Sequence, residues 1–503
     1  MTLSRVFRRA SLVVGIVLAV AFLPVVAEGK GKARAATGKP NILLLLFDDM
    51  RYEGVIDNPA VLPKTKRWLA DGGVNFTQAF TTTPLCCPNR ATMWSGLLMH
   101  NHRVFDNYAG DNLDRDWIAP RYLRDAGYGT ALVGKFITDW NWRYEPPHFD
   151  NLAVFQGGFT DARFMVRHRG EAKTRTERAP YTTDWIGEKA AAFIDDFETS
   201  DDQPWFMQVA PHAPHQEQTA PGPDSCNLQK MYSWPPRYDG APIPEWKPTP
   251  AADIEGGPDH KAEKQDKPAW VRSRNFTHKC AQVTYEGAMR TLMPADDMVD
   301  LIMTRLQERG ELANTLVILT TDNGYAWNER GMTSKGAPWI ENVQAPFLVR
   351  WDGVFPPGTT DERLVGTVDL VPTYLDAAGY NPPEIRYPFD GRSFLPGRPA
   401  RTEKYLESGP VLQSSPKGYK GHRGIPAWAS LRTKKWSYIE TYDKANNTDV
   451  DWREYYDLVA DPWELNNLLA DNDPSNDPDV NALSARLRKA VTCAGTAGDN
   501  PCP

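Results

Sequence analysis

Continuous apolar runs constrain the fold of this chain more than any other feature. The first run is NILLLLF, Asn41–Phe47, which ends at Asp48 and Asp49. A run of this kind is typical of a strand that is buried on both faces of a parallel sheet. Similar runs follow at TALVGKF (130–136), WFMQVAP (205–211), TLVILTTDNG (315–324) and APFLVRW (345–351).

Helical patterns lie between these runs. DWIGEKAAAFIDDF (184–197) precedes one run and MVDLIMTRLQERGELAN (298–314) precedes another, with Gly310 as a helix stop. Alternating strands and helices predict an α/β fold with a sheet covered on both faces. After about residue 399 the chain changes to short runs such as WASLRTKKWSYIETY, which indicate a smaller antiparallel sheet followed by a terminal helix.

Length and charge limit the function classes. The 503 residues suffice for one large α/β domain with an appendage, or for two to three ordinary domains. The net charge is only -7 and no dense Lys/Arg block follows the N-terminal segment, so neither nucleic acid nor an anionic membrane is an expected partner. Residues 212 to about 268 are rich in proline and lack periodicity, which predicts a functional loop region beside the active cleft, with disorder as the alternative.

The first 36 residues have the pattern of a targeting segment. Arg5, Arg8 and Arg9 precede the uncharged run ASLVVGIVLAVAFLPVVA, and small residues at Val25/Ala27 or Ala33/Ala35 offer cleavage sites. A retained membrane anchor is the alternative, which Pro24 and these small residues disfavour. We therefore expect an exported protein, secreted, periplasmic or in the cell envelope, without stable membrane association.

Six cysteines fit that compartment. Cys226 with Cys280, and Cys493 with Cys502, form the simplest pair of disulfides in an oxidising environment. The vicinal residues Cys86 and Cys87 are left over. Either a strained vicinal disulfide or two buried free thiols would account for them.

Hard oxygen ligands follow two of the apolar runs. Asp48 and Asp49 end the first run, and Asp322 and Asn323 end the run that begins at Thr315. Ligands gather at the carboxyl ends of strands in open α/β sheets, and such an oxygen set favours calcium or magnesium over zinc. Each pair alone is more often a helix cap or a turn, whereas the two together indicate a metal site.

The segment Cys86-Cys87-Pro88-Asn89-Arg90 resembles the C-x-P-x-R signature of type I sulfatases. Other segments resemble that family in the expected order between residue 39 and about residue 470: KPNILLLLFDDMR, GYGTALVGKF, APHAPH, TTDNGYAWNERGMTSKG and YYDLVADPWELNNL. The double cysteine before proline and the later HNH are most similar to the N-acetylglucosamine-6-sulfatase branch. The resemblance implies an alkaline-phosphatase-like sulfatase fold, with a signal peptide at 1–36, a catalytic domain at 39–398 and a C-terminal subdomain at 399–503.

In that family the first cysteine is oxidised to formylglycine (3-oxoalanine) by a formylglycine-generating enzyme. The resemblance implies this modification at Cys86, which would leave Cys87 as a single thiol. The hydrated aldehyde is a gem-diol: one hydroxyl attacks sulfur, and the other later collapses to the carbonyl and expels sulfate. The leaving group is then a sugar or aryl oxygen.

The resemblance also implies the remaining site residues. Arg90, Lys135, His212 and Lys335 correspond to residues that contact the sulfate, and His215, three residues after His212, is easily confused with it. One Ca²⁺ per chain is expected on Asp48, Asp49, Asp322, Asn323 and the modified Cys86. The second histidine of the arylsulfatase pattern G-K-x-H is replaced by Ile137, a gap shared with glucosamine-6-sulfatase-like members. We have no account of His148, which stands where relatives usually have glycine.

These features predict an enzyme that hydrolyses sulfate esters of carbohydrates, such as glucosamine-6-sulfate-type groups, or of aryl alcohols. Two alternatives stay open. The same machinery could act on phosphate or phosphonate monoesters, since relatives with this fold do so. An unconverted Cys86 would instead give a binding protein for sulfated glycans without turnover.

Overall fold

The predicted apolar runs form strands of a ten-stranded sheet. The computed structural model describes residues 38–53, 55–56, 60–141, 144–201, 203–217, 226–252, 264–412 and 421–503. The strands are β1 Asn41–Phe47, β2 Val74–Phe76, β3 Ala79–Phe80, β4 Gly129–Lys135, β5 Asn151–Phe155, β6 Thr160–Arg167, β7 Arg175–Tyr181, β8 Trp205–Ala210, β9 Thr315–Thr321, β10 Ala326–Trp327, β11 Thr333–Ser334, β12 Leu348–Arg350, β13 Thr359–Asp361, β14 Val365–Gly366, β15 Lys404–Ser408, β16 Trp428–Arg432, β17 Trp436–Tyr442 and β18 Val450–Asp457.

Parallel pairing dominates the centre of this sheet, whose strand order is β13-β2-β12-β9-β1-β8-β4-β5-β6-β7. Strand β1 lies between β9 and β8 and is parallel to both, with Leu44 opposite Ile318 and Gln208. Strands β4 and β5 continue the parallel pairing, whereas β12, β6 and β7 run antiparallel to a neighbour. The residues that follow β1, β4, β8 and β9 therefore meet at one edge of the sheet.

Helices cover both faces of the sheet, as the alternating pattern predicts. The α-helices of the described residues are α1 Pro63–Thr65, α2 Cys86–Ser95, α3 Met99–His102, α4 Ala119–Asp125, α5 Thr182–Glu198, α6 Leu228–Met231, α7 Ala269–Arg272, α8 His278–Arg309, α9 Ile340–Val343, α10 Leu370–Ala377 and α11 Val480–Val491. Short 3-10 turns and one π-helix complete the set: Lys66–Ala70 (π), Gly110–Asn112, Pro236–Tyr238, Leu312–Asn314, Thr367–Asp369, His422–Gly424 and Leu468–Ala470.

Alternate side chains of β1 enter two different cores. Leu43, Leu45 and Phe47 belong to the core under α5 and α8. Ile42, Leu44 and Leu46 belong to the core under α2, α4 and α10. Successive strand residues point to opposite faces, so an uninterrupted apolar run is what two cores require.

A separate four-stranded antiparallel sheet, β15-β16-β17-β18, forms in the C-terminal region, and helix α11 follows it. Both predicted disulfides are present: Cys226 is bonded to Cys280, and Cys493 to Cys502. The described residues belong to one compact unit. The boundary between residues 398 and 399 stays a prediction.

The structure differs from the sequence-based expectations in two elements. Helix α8 begins at His278, twenty residues before the predicted start at Met298, and it continues through Pro294. The hairpin of β6 and β7 extends the sheet where no strand is predicted. The predicted functional loop region contains α6 and the turn Pro236–Tyr238 among its described residues.

The targeting segment predicted at residues 1–36 lies outside the described residues. Within the part of the chain that the structure describes, no helix has the length and apolar character to cross a membrane.

Candidate active site

The two pairs of oxygen-bearing residues meet at the carboxyl edge of the sheet. The backbone N–H of Asp49 donates to Asp322 Oδ1 at 3.2 Å, and Asn323 Nδ2 donates to Asp49 Oδ1 at 2.6 Å. Asp49 has a φ of 68°, in the left-handed region that aspartate tolerates better than most residues. Asp48 and the other three side chains are buried. Three carboxyl groups and an amide thus share one small volume.

Cys86 is the first residue of α2 and lies over this group. Its Sγ atom is 3.5 Å from Asp48 Oδ1 and 3.9 Å from Asp49 Oδ1. Lys335 Nζ donates to the same sulfur at 2.7 Å. The Cys87 N–H donates to Asn107 Oδ1 at 2.9 Å and Pro88 carries no N–H, so it is the positive end of the helix dipole, rather than a set of free N–H groups, that favours an anion here. Cys86 and Cys87 are both buried free thiols in this structure.

Arg90 lies one helical turn after Cys86 and is completely buried. Its Nε donates to Asp322 Oδ2 at 2.7 Å and its Nη1 donates to the Lys135 carbonyl at 3.0 Å. The remaining Nη2 is 3.6 Å from Asp48 Oδ2 and has no hydrogen-bond partner among the described residues. The guanidinium is therefore fixed by two bonds and keeps one nitrogen available.

Two lysines complete the cationic side of the site. Lys135, the last residue of β4, forms an ion pair with Asp48, and Lys335 forms one with Asp49. Both lysines are 5% exposed, so their charges are held close to the reacting position rather than in solvent. Three cations thus face three carboxyl groups around Cys86.

Burial and the neighbouring charges shift the pKa values of the acidic groups in the site. Burial alone would raise the pKa of Asp48, but the Lys135, His215 and Arg90 side chains outweigh it and hold that pKa well below its ordinary value. Burial, followed by the Asp48 charge, raises the pKa of Asp322 to about 6. Burial also raises the pKa of the Cys86 thiol well above its ordinary value, against the opposing effect of Lys335. An unmodified thiol here is therefore a poor nucleophile.

Two histidines from the loop after β8 reach the site. Both ring nitrogens of His212 are buried without a partner among the described residues, and its ring packs edge-on against Phe159. Burial, then the neighbouring His215, lowers the pKa of His212 well below its ordinary value. His215 Nε2 is 3.6 Å from Asp49 Oδ2.

The structure brings every predicted site residue to this one place, and His212 joins it through His215, whose ring centroid is 4.8 Å away. Sequence reasoning set His215 aside, yet it joins Asp48, Asp49 and Cys86 in a group whose ligand atoms lie within 4.8 Å of one another. It also passed over Asn89, which donates from Nδ2 to the Asp322 carbonyl at 2.6 Å. Asn89 occupies a variable position of C-x-P-x-R, so the motif gives no signal for it. The other predicted metal residues, Asp322 and Asn323, follow β9 and contact Asp49 through the two hydrogen bonds described above.

Comparisons with known proteins agree with this geometry. The family model described as Sulfatase matches residues 40–380, and the one described as N-sulphoglucosamine sulphohydrolase, C-terminal, matches residues 328–492. Arylsulfatase of Volvox carteri is 27% identical over 93% of this chain and 77% of its own length. N-acetylglucosamine-6-sulfatase of Homo sapiens is 26% identical over 93% of this chain and 87% of its own.

A solved structure has the same fold. BT4656 in complex with its substrate D-glucosamine-2-N,6-O-disulfate superposes with a TM-score of 0.68 at 22% identity, covering 90% of this chain and 97% of its own. The predicted α/β class, with a mixed, mostly parallel sheet and a smaller antiparallel sheet, is thereby confirmed. Because the Sulfatase model spans most of the chain, this protein belongs to the sulfatase family and is a sulfatase, a hydrolase of sulfate esters.

Proposed function

We propose that this sulfatase acts on sulfated carbohydrates, with glucosamine-6-sulfate-type groups or aryl sulfates as substrates, through formylglycine made from Cys86 and a bound Ca²⁺. The observation that carries the proposal is the position of Cys86 Sγ, within 4 Å of Asp48, Asp49 and Lys335. The human relative is named as an N-acetylglucosamine-6-sulfatase, and the solved complex holds a sulfated glucosamine as substrate. Both support sulfated sugars as the substrate class here.

Formylglycine would supply the group that an ordinary side chain lacks, because its hydrate offers one oxygen to attack sulfur and a second to expel sulfate. Arg90 Nη2, Lys135 and Lys335 would bind the non-bridging sulfate oxygens, since their charges are buried around residue 86. His212 is proposed to hydrogen-bond the leaving oxygen and move its proton, because both ring nitrogens are free among the described residues.

The residues present fit a calcium ion. Asn323 Oδ1 is a buried acceptor without a hydrogen-bond donor among the described residues, and a cation would satisfy it. Asp48, Asp49 and Asp322 supply further oxygens, and residue 86 a fifth, a donor set that suits Ca²⁺ or Mg²⁺. When bound, the ion polarises the sulfate as a Lewis acid. The carboxyl groups would hold the ion, while the lysines that now pair with them would turn to the sulfate.

Maturation and location belong to the same proposal. Conversion of Cys86 requires a formylglycine-generating enzyme as a transient partner. That enzyme would recognise the C-x-P-x-R segment. The N-terminal segment and the two disulfides, Cys226–Cys280 and Cys493–Cys502, support an exported protein. We expect no stable association with membranes or nucleic acid.

Mass analysis of the peptide that contains Cys86 tests the mechanism, because a thiol, an aldehyde and a disulfide differ in mass. The Cys86→Ala variant should lose sulfate release by at least about 1000-fold while keeping its fold and still binding calcium through the four other proposed ligands. Cys87→Ala is the matched control and should keep wild-type activity, since Cys87 Sγ points away from the carboxyl groups and donates to the Thr138 carbonyl at 3.4 Å.

The assay uses a panel of sulfated monosaccharides, sulfated oligosaccharides and 4-nitrophenyl sulfate, with 4-nitrophenyl phosphate and a phosphonate monoester in parallel. If the phosphate or phosphonate ester is hydrolysed faster than the sulfate esters, the proposed substrate class is wrong. A fully active enzyme that carries an unmodified thiol at position 86 would overturn the nucleophile.

A further inference from the structure

A cavity adjoins the candidate active site. Its volume is about 480 Å³, and its walls come from α7 and the turn after it, from the start of β11 and from the turn His422–Gly424. The residues that matter here are Trp270, Arg274, Thr333, Arg423 and Lys444. None of them belongs to the sulfate-binding group described above.

Positive charge dominates this cavity. Arg274 Nη2 donates to the Arg423 carbonyl at 2.8 Å and its Nε donates to the Trp270 carbonyl at 3.2 Å. Within the described parts of the chain, neither arginine nor Lys444 forms an ion pair with a carboxylate. Burial, and then the Arg423 charge, lower the pKa of Arg274. Clustered cations without a counter-ion repel one another, so an anion bound between them would remove this repulsion.

Two connections join the cavity to the sulfate site. Thr333 lines the cavity, and Lys335, two residues later, donates to Cys86 Sγ at 2.7 Å. Two residues of extended chain span roughly 7 Å. On the opposite wall Arg423 follows His422, whose Nε2 is 3.5 Å from Ser334 Oγ. A ligand that fills both places therefore needs two anionic groups, one for each place.

The cavity also offers an aromatic wall. Trp270 stacks on Trp339, with ring centroids 5.6 Å apart and an interplanar angle of 30°, and Arg274 lies 5.9 Å from the Trp270 ring centroid. Stacking fixes the indole, and a fixed aromatic face packs well against the apolar face of a sugar ring. Arginine adds a planar fork of donors that matches a carboxylate or sulfate.

We propose that this cavity is a second anion subsite, in which Arg274, Arg423 and Lys444 bind an oxyanion elsewhere on the glycan whose sulfate lies at Cys86. The inference rests on the proposed function and narrows it. The preferred substrate is then an oligosaccharide with at least two acidic groups, either two sulfates or a sulfate and a uronate, rather than a molecule with a single sulfate.

The test compares substrates in wild-type enzyme and in the Arg423→Gln variant. Arg423 is exposed, so its loss should not disturb folding. For a disulfated disaccharide and for a disaccharide with one sulfate and one uronate, we expect KM to rise about 10- to 100-fold with kcat within twofold. For 4-nitrophenyl sulfate and a monosulfated monosaccharide, both constants should change less than twofold.

Lys434→Gln is the matched control, because Lys434 is also an exposed cation but pairs with Glu362. It should leave all four substrates unchanged. The wild-type preference for the two diacidic substrates should also weaken at high salt, and the variant should show less of this dependence. The diacidic substrate whose KM rises more in Arg423→Gln carries the oxyanion, sulfate or carboxylate, that the subsite prefers.

Equal losses on all four substrates, or no loss on any, would overturn the subsite. Should wild-type enzyme hydrolyse no sulfate ester, the proposed function fails instead, and calorimetric binding of the disulfated disaccharide then tests the subsite alone. Weaker binding by Arg423→Gln than by Lys434→Gln would support it, and equal binding would overturn it.

Discussion

Arg90 shows how one residue can organise the candidate site. Its guanidinium bonds to Asp322 and to the Lys135 carbonyl, which ties β9, β4 and α2 together beneath Cys86. A lysine could carry the same charge but not the same planar set of donors. The function of Arg90 therefore depends on geometry as much as on charge.

Arg90→Lys should lower kcat/KM for sulfate hydrolysis by about 100-fold or more, because the substitute cannot bond to both acceptors and still face the sulfate. The positive charge beside Asp48 and Asp322 is kept, so the circular dichroism spectrum and metal content should stay close to wild type. Steady-state kinetics on a sulfated sugar measure the effect. Arg386→Lys, which alters a surface pair with Asp114, is the control. A loss below about tenfold would contradict this role.

At the scale of elements, the strand ends decide where the chemistry lies. The turn after β9 packs against α9, and Gly324 N–H donates to the Asn342 carbonyl at 2.9 Å. A Cβ atom at Gly324 would lie 2.3 Å from the Glu341 carbonyl oxygen and 3.0 Å from that of Asn342. Both obstacles are backbone atoms, so neither can rotate away.

Gly324→Ala should therefore destabilise the protein by about 1–3 kcal/mol and lower activity, because the turn that holds Asn323 has to move. Thermal unfolding and sulfate release measure the two effects. Gly240→Ala is the control, since a Cβ atom there meets nothing within 4 Å. Unchanged unfolding temperature and activity in Gly324→Ala would show that the turn does not need this close approach.

The elements that sequence predicts well are those whose burial is uniform. Strand β1 is apolar at every position after Asn41 because both faces are buried, and its carboxyl end locates Asp48. The hairpin of β6 and β7 escapes prediction because many of its side chains are exposed and charged, so its strands depend on pairing with β5 rather than on their own pattern. The first half of α8 is not predicted from the sequence because Pro294 follows it, and proline normally interrupts a helix.

Site residues follow the same rule. Asp322 lies at a strand end and Arg90 in a spaced motif, and both leave a pattern in the sequence. His212 and His215 lie three residues apart in one loop, and only folding decides that the second faces Asp49 while the first keeps both ring nitrogens free. The cavity beside Arg274 joins segments that lie far apart in the chain, so no local pattern could reveal it.

In the whole molecule, a buried polar contact joins the region of the candidate nucleophile to the C-terminal part of the chain. The protonated His100, in α3, donates from Nδ1 to Glu407 Oε1 of β15 at 2.9 Å and from Nε2 to the Cys493 carbonyl at 2.9 Å. Tyr405 OH also donates to Glu407, at 3.0 Å, and Asp390 adds a further negative charge near the ring. The contact therefore links helix α3, the small sheet and the disulfide-closed tail.

This contact makes stability depend on pH. Burial alone would lower the pKa of His100, but Glu407, the Cys493 carbonyl and Asp390 outweigh it and raise the pKa to about 9, from 6.5 in an exposed histidine. Because the folded pKa is the higher one, the stabilisation is complete below about pH 6.5 and is lost as pH rises through about 9. A shift of this size corresponds to on the order of 3 kcal/mol.

His100→Asn should accordingly cost most stability near pH 6, and the difference from wild type should shrink towards pH 9 as the wild-type imidazolium loses its proton. Urea unfolding at pH 6, 7.5 and 9 measures this difference. His168→Asn, which removes a partly buried histidine paired with Asp196, is the control variant. A His100→Asn difference that stays constant from pH 6 to 9 would mean that packing against Tyr405, rather than the charge, holds the two parts of the chain together.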